Sequence, residues 1–545
     1  MDALHSRIDS IVLPTKASLR AKLHRDGWVL PKQTTSFAPE GTWTNVDLDV
    51  TPLERRIWTP LSFLGYWISD VLSAQSWQIG ASVLAIGLTY REAVYCIILG
   101  STVMAGAIAF NGAPGAYLRV PFPVWSRSAF GYHGARLPVI CRMVTALFWH
   151  SIQTYTGSLA MTVMLTAIWP SYACVPNHLP KSAGITTSGM LSHLLFWSLQ
   201  LPFLLIRPHK LKWFFVFKAF ITITAAVGTA IAVCKMAGGS GDIWDQRPQV
   251  QGRDRAWLVV STLTAQTGSW STVGTNISDF TRYAKKPRTI YYQVFLFPVI
   301  CFTIAFLGVI SASASKHLYG EYIWDPLTLA SKWTSPAGRL GAFYCGLAWC
   351  IAQIGVNVSA NVISVSNDLA SLFPKYINLR RAALLATLVA GWIMVPWKII
   401  TGASSLINFM ASLGIFLAPI ICISIADYWI VKKCRVDVAD LYRPAGRYHY
   451  IAGVNWRAML AMICSIGPAM PGLAQNISPS LNIGGALYVA DLVWYYGFLS
   501  AFVVYVTVSK IWPAEDTLVD KFLLSEDADL DVQVVNELPV KLEKV

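Results

Sequence analysis

What most constrains this chain is a succession of apolar runs too long for the helices of a water-soluble core. A helix needs roughly 20 predominantly apolar residues to cross the hydrocarbon of a bilayer, and about twelve stretches meet that criterion. They lie near 59–88, 91–113, 139–168, 189–206, 211–236, 256–279, 290–312, 340–366, 380–400, 403–431, 456–475 and 484–509. Inside lipid each backbone polar group must be satisfied within its own segment, so runs of this kind specify an all-α polytopic membrane protein. They occupy so much of the 545 residues that no sizeable soluble domain fits beside them.

Charge orients the spans. The opening stretch MDALHSRIDSIVLPTKASLRAKLHRDGWVL mixes charges and has no hydrophobic h-region, so the first span serves as the membrane signal and the arm before it stays in the cytosol. With that orientation the inner segments are the basic ones: Arg119 to Arg142, Arg207 to Lys212, Arg282 to Arg288, Lys375 to Arg381 and Lys432 to Arg447. The Arg247 to Arg255 loop is the exception. The net charge of +14 therefore reflects topology and contact with anionic lipid. Nucleic acid is not an expected partner, because no basic stripe interleaved with aromatics accompanies the charge. After Trp512 the chain turns acidic in SEDADLDVQVVNE and carries Lys541 and Lys544, a cytosolic tail open to trafficking or ubiquitination machinery. Ten scattered cysteines form no CxxC or Cys/His cluster and read as small buried hydrophobes, so no metal or other cofactor is expected.

Two polar pairs interrupt the apolar pattern. Trp149 with Gln153 lies in the third run and Asn357 with Asn361 in the eighth. Each pair is spaced i, i+4 and so shares one helix face. An aromatic plate beside amide groups on a buried face suits a flat, hydrogen-bonding solute, although interhelical hydrogen bonding is the simpler role for the two asparagines. Asn357 reads as the scaffold of its pair and Asn361 as the ligand. The first run contains Gly65, Ser69, Asp70, Ser73 and Gly80, and the sixth Gly268, Ser269, Ser271 and Gly274. Either stretch alone is equally well read as close helix packing through small residues, but the two fall five spans apart, as broken helices of an inverted five-helix repeat do. The expected organisation is a cytosolic arm 1–57, a first five-helix repeat 58–236, a second 237–435, a loop with the last two helices 436–511, and the tail 512–545.

Ionisable residues at membrane depth are expensive and often mark coupling paths. Asp70 is a candidate acceptor for a driving proton, or a partner of Lys218 in the fifth span. Asp279, Arg282, Asp427 and Lys432 lie at cytosolic span ends, where they form an inner gate or act as interfacial anchors. Phe409 and Met410 are candidates for a thin gate, and His150 points about 100° away from Trp149 on a helix.

Five segments carry a resemblance to a family. They are NVDLDVTPLERRIW before the first span, GAPGAYLRVPFPVWSRSAFGYHGARLPVICR after the second, TNISDFTRYAKKP ending the sixth, NVSANVISVSNDLASLFPKYINLRR closing the eighth and GIFLAPIICISIADYWIVKK in the tenth. In order and spacing the chain resembles the nucleobase–cation symporter-1 family, in particular its fungal Fur-type branch of uracil, allantoin and uridine permeases. The resemblance implies a LeuT-like fold of two inverted five-helix repeats plus two C-terminal helices. It also implies a central site in which Trp149, Gln153, Trp270, Asn357 and Asn361 hold a flat ring. At Trp270 the chain departs from many fungal members and is similar instead to the bacterial hydantoin carrier of the family. Sodium-coupled relatives carry hydroxyl side chains just before the eighth-span Asn, where this chain has Gly355 and Val356, so a proton gradient is the expected driving force and sodium the lesser alternative.

The expectation is a plasma-membrane carrier, with both termini cytosolic, that imports a small heterocycle such as uracil or allantoin by proton symport and does no chemistry on it. Alternatives are a thiamine, nicotinamide riboside or uridine transporter of the same fold, and a membrane receptor that has lost transport.

Overall fold

In a computed structural model of the protein, residues 28–32, 37–39, 43–206, 211–478 and 480–520 are described. The first part of the N-terminal arm, most of the basic Arg207 to Lys212 loop and the tail lysines lie outside the described residues.

Each of the twelve apolar runs falls on helix. Seven helices are individually long and apolar enough to cross a membrane among the described residues. The first and sixth spans do not qualify as single helices because both are broken. The first runs from Pro60–Val71 to Ala74–Ala85, with Leu72 (ψ 79°) and Ser73 (φ −139°, ψ 159°) out of helical geometry between them. Ser73 then caps the second half, its hydroxyl accepting from the Ser76 amide at 3.3 Å. The sixth runs from Gly252–Gly268 through Trp270 (φ −101°, ψ 3°) into Ser271–Asn276 and Ser278–Thr281. The third span, Arg136–Ile168, is continuous, whereas the eighth, Pro336–Val356, passes through a π-helical turn at Asn357–Val362 before Ile363–Leu372. Turns of this kind are rare and concentrate at functional sites. The ninth span carries another such turn at Val389–Ile393, and the tenth, Ala403–Ala426, ends in a third at Asp427–Val431.

The third span packs along the eighth, the seventh (Gln293–Tyr319) along the second half of the first, and the tenth against the sixth and the twelfth (Val493–Ile511). Small residues allow this close approach in lipid, where no hydrophobic force draws helices together. A Cβ at Gly80 would strike the Ala305 carbonyl, and one at Gly308 would strike the Trp77 carbonyl, so the two helices interlock through reciprocal glycines.

The N-terminal arm and the described basic segments gather at one end of the bundle. The Thr51 amide donates to the Arg119 carbonyl at 2.9 Å, and the Leu30 amide to the Lys375 carbonyl at 2.9 Å. Arg282 donates to the Asp47 carbonyl at 2.9 Å, and the Tyr442 hydroxyl to the Leu48 carbonyl at 2.9 Å. Loops that the charge pattern assigns to one side of the membrane are thus on one side of the molecule.

Candidate functional site

A cavity of about 50 Å³ lies where the two broken spans cross the third, eighth and tenth. The break in the first span contributes Asp70, Ser73 and Ser76, and the break in the sixth contributes Ser269 and Trp270. Trp149 and Gln153 enter from the third span, Asn361 from the π turn of the eighth and Met410 from the tenth. Four of the five residues expected to hold a ring therefore converge on one space. Asn357 stands a layer behind: it is fully buried and donates to Gln200 Oε1 at 3.0 Å, while Asn361 Nδ2 donates to Asn357 Oδ1 at 2.9 Å. Of the pair, Asn361 lines the cavity and Asn357 does not.

Both tryptophans are braced from outside the cavity. The Trp149 ring meets Phe409 edge to face at 5.8 Å, and the Trp270 ring meets Phe297 edge to face at 5.1 Å and Trp67 at 6.3 Å. Such contacts fix the planes of the rings and leave them as rigid walls. Gln75, beside the break in the first span, is held between Thr156, to which it donates at 2.8 Å, and Gln353, from which it accepts at 3.0 Å. The Gln153 Oε1 atom is buried without a protein partner, so the amide keeps an acceptor for a solute.

The ionisable residues separate into two groups. Asp70 lines the cavity and accepts from the Ser359 hydroxyl at 2.9 Å. The Lys218 ammonium donates to the Ser69 carbonyl, and its aliphatic stem fills the space beside Gly355, where a Cβ would overlap Lys218 Cδ. Neither Asp279 nor Asp427 lines the cavity. The Phe122 amide, at the start of the short helix Phe122–Phe130, donates to Asp279 at 2.7 Å. Asp427 accepts from Ser128, Tyr505 and Lys432 at 2.8 Å each, so its carboxylate is saturated by fixed donors. His150, next to Trp149 in sequence, is fully buried and does not face the cavity.

Sequence reasoning missed a second buried ion pair. Arg142, near the start of the third span, pairs with Asp368 in the eighth, and both side chains are wholly shielded from solvent. Arg142 also donates to the Ser364 carbonyl at 2.9 Å, and with the Asn276 amide turned to satisfy both its ends, to Asn276 Oδ1 at 3.1 Å. The third, sixth and eighth spans are thereby tied below the cavity. In the sequence Arg142 stands out only as a basic loop charge within a resembling segment, and Asp368 only as part of another such segment.

Residues 49–500 match the family described as "Permease for cytosine/purines, uracil, thiamine, allantoin". The chain belongs to the nucleobase–cation symporter-1 family. Within this family it is 35% identical over 495 residues to an uncharacterised permease of Schizosaccharomyces pombe, covering 90% of this chain and 88% of that one. It is 30% identical over 530 residues to the allantoin permease of Saccharomyces cerevisiae, covering 94% and 83% of the two chains. It is 32% identical over 480 residues to the uridine permease of the same yeast, covering 86% and 75%. These relatives place the chain in the fungal branch of the nucleobase–cation symporter-1 family. Among solved structures, Mhp1, a transporter of this family in a closed conformation with bromovinylhydantoin bound, superposes with a TM-score of 0.68 at 20% identity, covering 91% of this chain and 100% of Mhp1. That likeness agrees with the broken first and sixth spans in giving a LeuT-like fold. Members of the nucleobase–cation symporter-1 family are membrane transporters, and this one is a multi-pass permease and not an enzyme.

Proposed function

We propose that the protein imports a single-ring lactam or ureide, of the uracil or allantoin kind, across the plasma membrane by proton symport with alternating access. The observation that carries this reading is the convergence of two braced indoles, Trp149 and Trp270, with two amides, Gln153 and Asn361, on one small cavity. Rigid aromatic walls bury a planar ring at low entropic cost. Amides that carry both donor and acceptor ends read the alternating N–H and C=O groups of its edge. The relative named allantoin permease supports the solute class, whereas the one named uridine permease supports the riboside alternative. A riboside or thiamine, the rival solutes within this fold, needs room beyond a single ring.

Proton coupling rests on Asp70 and Lys218. Where the sodium-coupled relatives carry hydroxyls this chain has Gly355 and Val356, and the Lys218 stem occupies the space beside Gly355. An ammonium held there competes with a bound alkali cation, since both need the same oxygen ligands. The repeats 58–236 and 237–435 would rock about the shared cavity with both termini in the cytosol.

The test is uptake of radiolabelled uracil and allantoin by a permease-deficient yeast expressing the chain, with uridine, thiamine and nicotinamide riboside as unlabelled competitors. Saturable uptake of a free heterocycle that vanishes when the proton gradient is collapsed supports the reading. Competition by a riboside or thiamine stronger than by the free rings replaces the solute class. A surface-localised protein that carries none of these solutes would point to a receptor.

A further inference from the structure

Behind Asn361 lies a chain of buried hydrogen bonds that begins at a backbone carbonyl and ends at the cavity wall. The Thr154 hydroxyl donates its one proton to the His150 carbonyl at 2.8 Å. Its oxygen is then only an acceptor, and it receives Gln200 Nε2 at 3.2 Å and Asn357 Nδ2 at 3.3 Å. Gln200 is held in that sense, so its Oε1 faces Asn357 and accepts from Asn357 Nδ2 at 3.0 Å. Both amide hydrogens of Asn357 are now engaged, which leaves its Oδ1 to accept from Asn361 Nδ2 at 2.9 Å. Asn361, the member that lines the cavity, is therefore turned with its carbonyl oxygen available to a solute. The direction of each bond follows from the one before it, and the first is fixed because a peptide carbonyl accepts and never donates.

We infer that Gln200 and Thr154, neither of which touches the solute, are positioning residues that set the polarity of Asn361 and so require the transported ring to present an N–H at that edge. This inference rests on the solute class proposed above and narrows it. An alkylated ring nitrogen at that edge would place a methyl against a buried oxygen and leave the oxygen unpaired. Sites built on buried hydrogen bonds reject such analogues strongly. Gln200 is completely buried on the fourth span, Thr187–Leu205, so water cannot replace it in the relay. Without Gln200 the Asn357 amide has a free hydrogen and can turn. Asn361 can then turn with it and offer either end to the cavity.

The experiment compares wild type, Gln200→Leu and the isosteric Thr154→Val at matched surface levels. Uptake of radiolabelled uracil is competed by uracil, 1-methyluracil and 3-methyluracil. Uptake of radiolabelled allantoin is competed in parallel by hydantoin and its 1-methyl and 3-methyl derivatives. In wild type one methyl isomer should compete at least tenfold more weakly than its parent. In both variants that penalty should fall to threefold or less, with KM raised and the maximal rate per surface molecule within about twofold. A merely structural role would lower the rate or the surface level and leave the isomer preference intact. Thr154→Val preserves shape and serves if Gln200→Leu does not reach the surface. Variants that keep the full methyl penalty, or a wild type indifferent to methylation at either nitrogen, would overturn the relay while leaving uptake established. A wild type at the surface that carries no heterocycle would remove the proposed function and the relay together.

Discussion

The side chain of Lys218 lies across the backbone of Gly355, and its ammonium donates to the carbonyl of Ser69, one residue before Asp70. Lysine on the fifth span thus links the helix that breaks at the cavity to the helix that bears Asn361. Because glycine alone leaves room for that stem, Gly355→Ala should expel it. The expected result is a loss of at least tenfold in initial uptake rate with the protein still at the surface. Lys218→Met should abolish concentrative uptake while solute exchange across the membrane survives, measured as counterflow. Gradient-driven accumulation by Lys218→Met at the wild-type level would end the case for Lys218 in coupling.

Gln153 has a buried acceptor atom with no protein partner, and the solute is its natural complement. Gln153→Ala removes that bond and should raise KM by roughly 5- to 150-fold, the range that corresponds to about 1–3 kcal/mol for a buried hydrogen bond lost. Competition curves at constant surface level measure it. The maximal rate should change much less than KM, since the bond is made in the bound ground state. An unchanged KM would move the binding face away from the third span.

Much of this arrangement is visible in the sequence, for reasons that differ by residue. The spans are legible because bilayer thickness imposes a length on every apolar run. Breaks in the first and sixth are legible because Ser69, Asp70 and Ser73, and again Ser269 and Ser271, are too polar for lipid-facing helix. Trp149 with Gln153 is legible because i, i+4 spacing needs only helical geometry. Gln200 and Thr154 give no such signal, because the meaning of each depends on partners from other spans. The Arg142–Asp368 pair is hidden for the same reason, since pairing across the bundle leaves no local spacing to read. The π turn at Asn357–Val362 likewise corresponds to no spacing read from the sequence.

Arg142 and Asp368 are both fully shielded, so removing one partner leaves an uncompensated charge in the protein interior. Breaking such a pair costs about 3–5 kcal/mol, whereas replacing both members with apolar residues of similar volume is often neutral. Asp368→Ala and Arg142→Ala should each lower the melting temperature of detergent-solubilised protein and its amount at the surface. The double variant Arg142→Met with Asp368→Leu should recover most of that loss. Recovery of stability without recovery of uptake would assign the pair to the transport cycle as well as to folding, because the pair ties the third and eighth spans below the cavity. A double variant as unstable as the singles would show that the bonds from Arg142 to Ser364 and Asn276, and not the ion pair, hold this region together.

Asp427 and Lys432 stand in contrast to the groups at the cavity. The ammonium of Lys432 also donates to the Ser128 carbonyl and hydroxyl at 2.8 Å each, and Asp427 is closed off by Ser128 and Tyr505. A pair so fully satisfied is suited to anchoring the end of the tenth span against the Phe122–Phe130 helix and the twelfth span, and poorly suited to opening and closing in each cycle. Tyr505→Phe removes one donor from Asp427 and keeps the packing. It should cost about 1.5–3 kcal/mol, the range for a hydrogen bond to a charged group, and lower the melting temperature without altering KM or the proton dependence of uptake. A gate would behave otherwise: loosening it would change the balance of inward- and outward-facing states and shift KM together with the maximal rate. Melting curves and uptake kinetics on the same variant therefore separate the anchor from the gate, and a KM shift at unchanged stability would favour the gate.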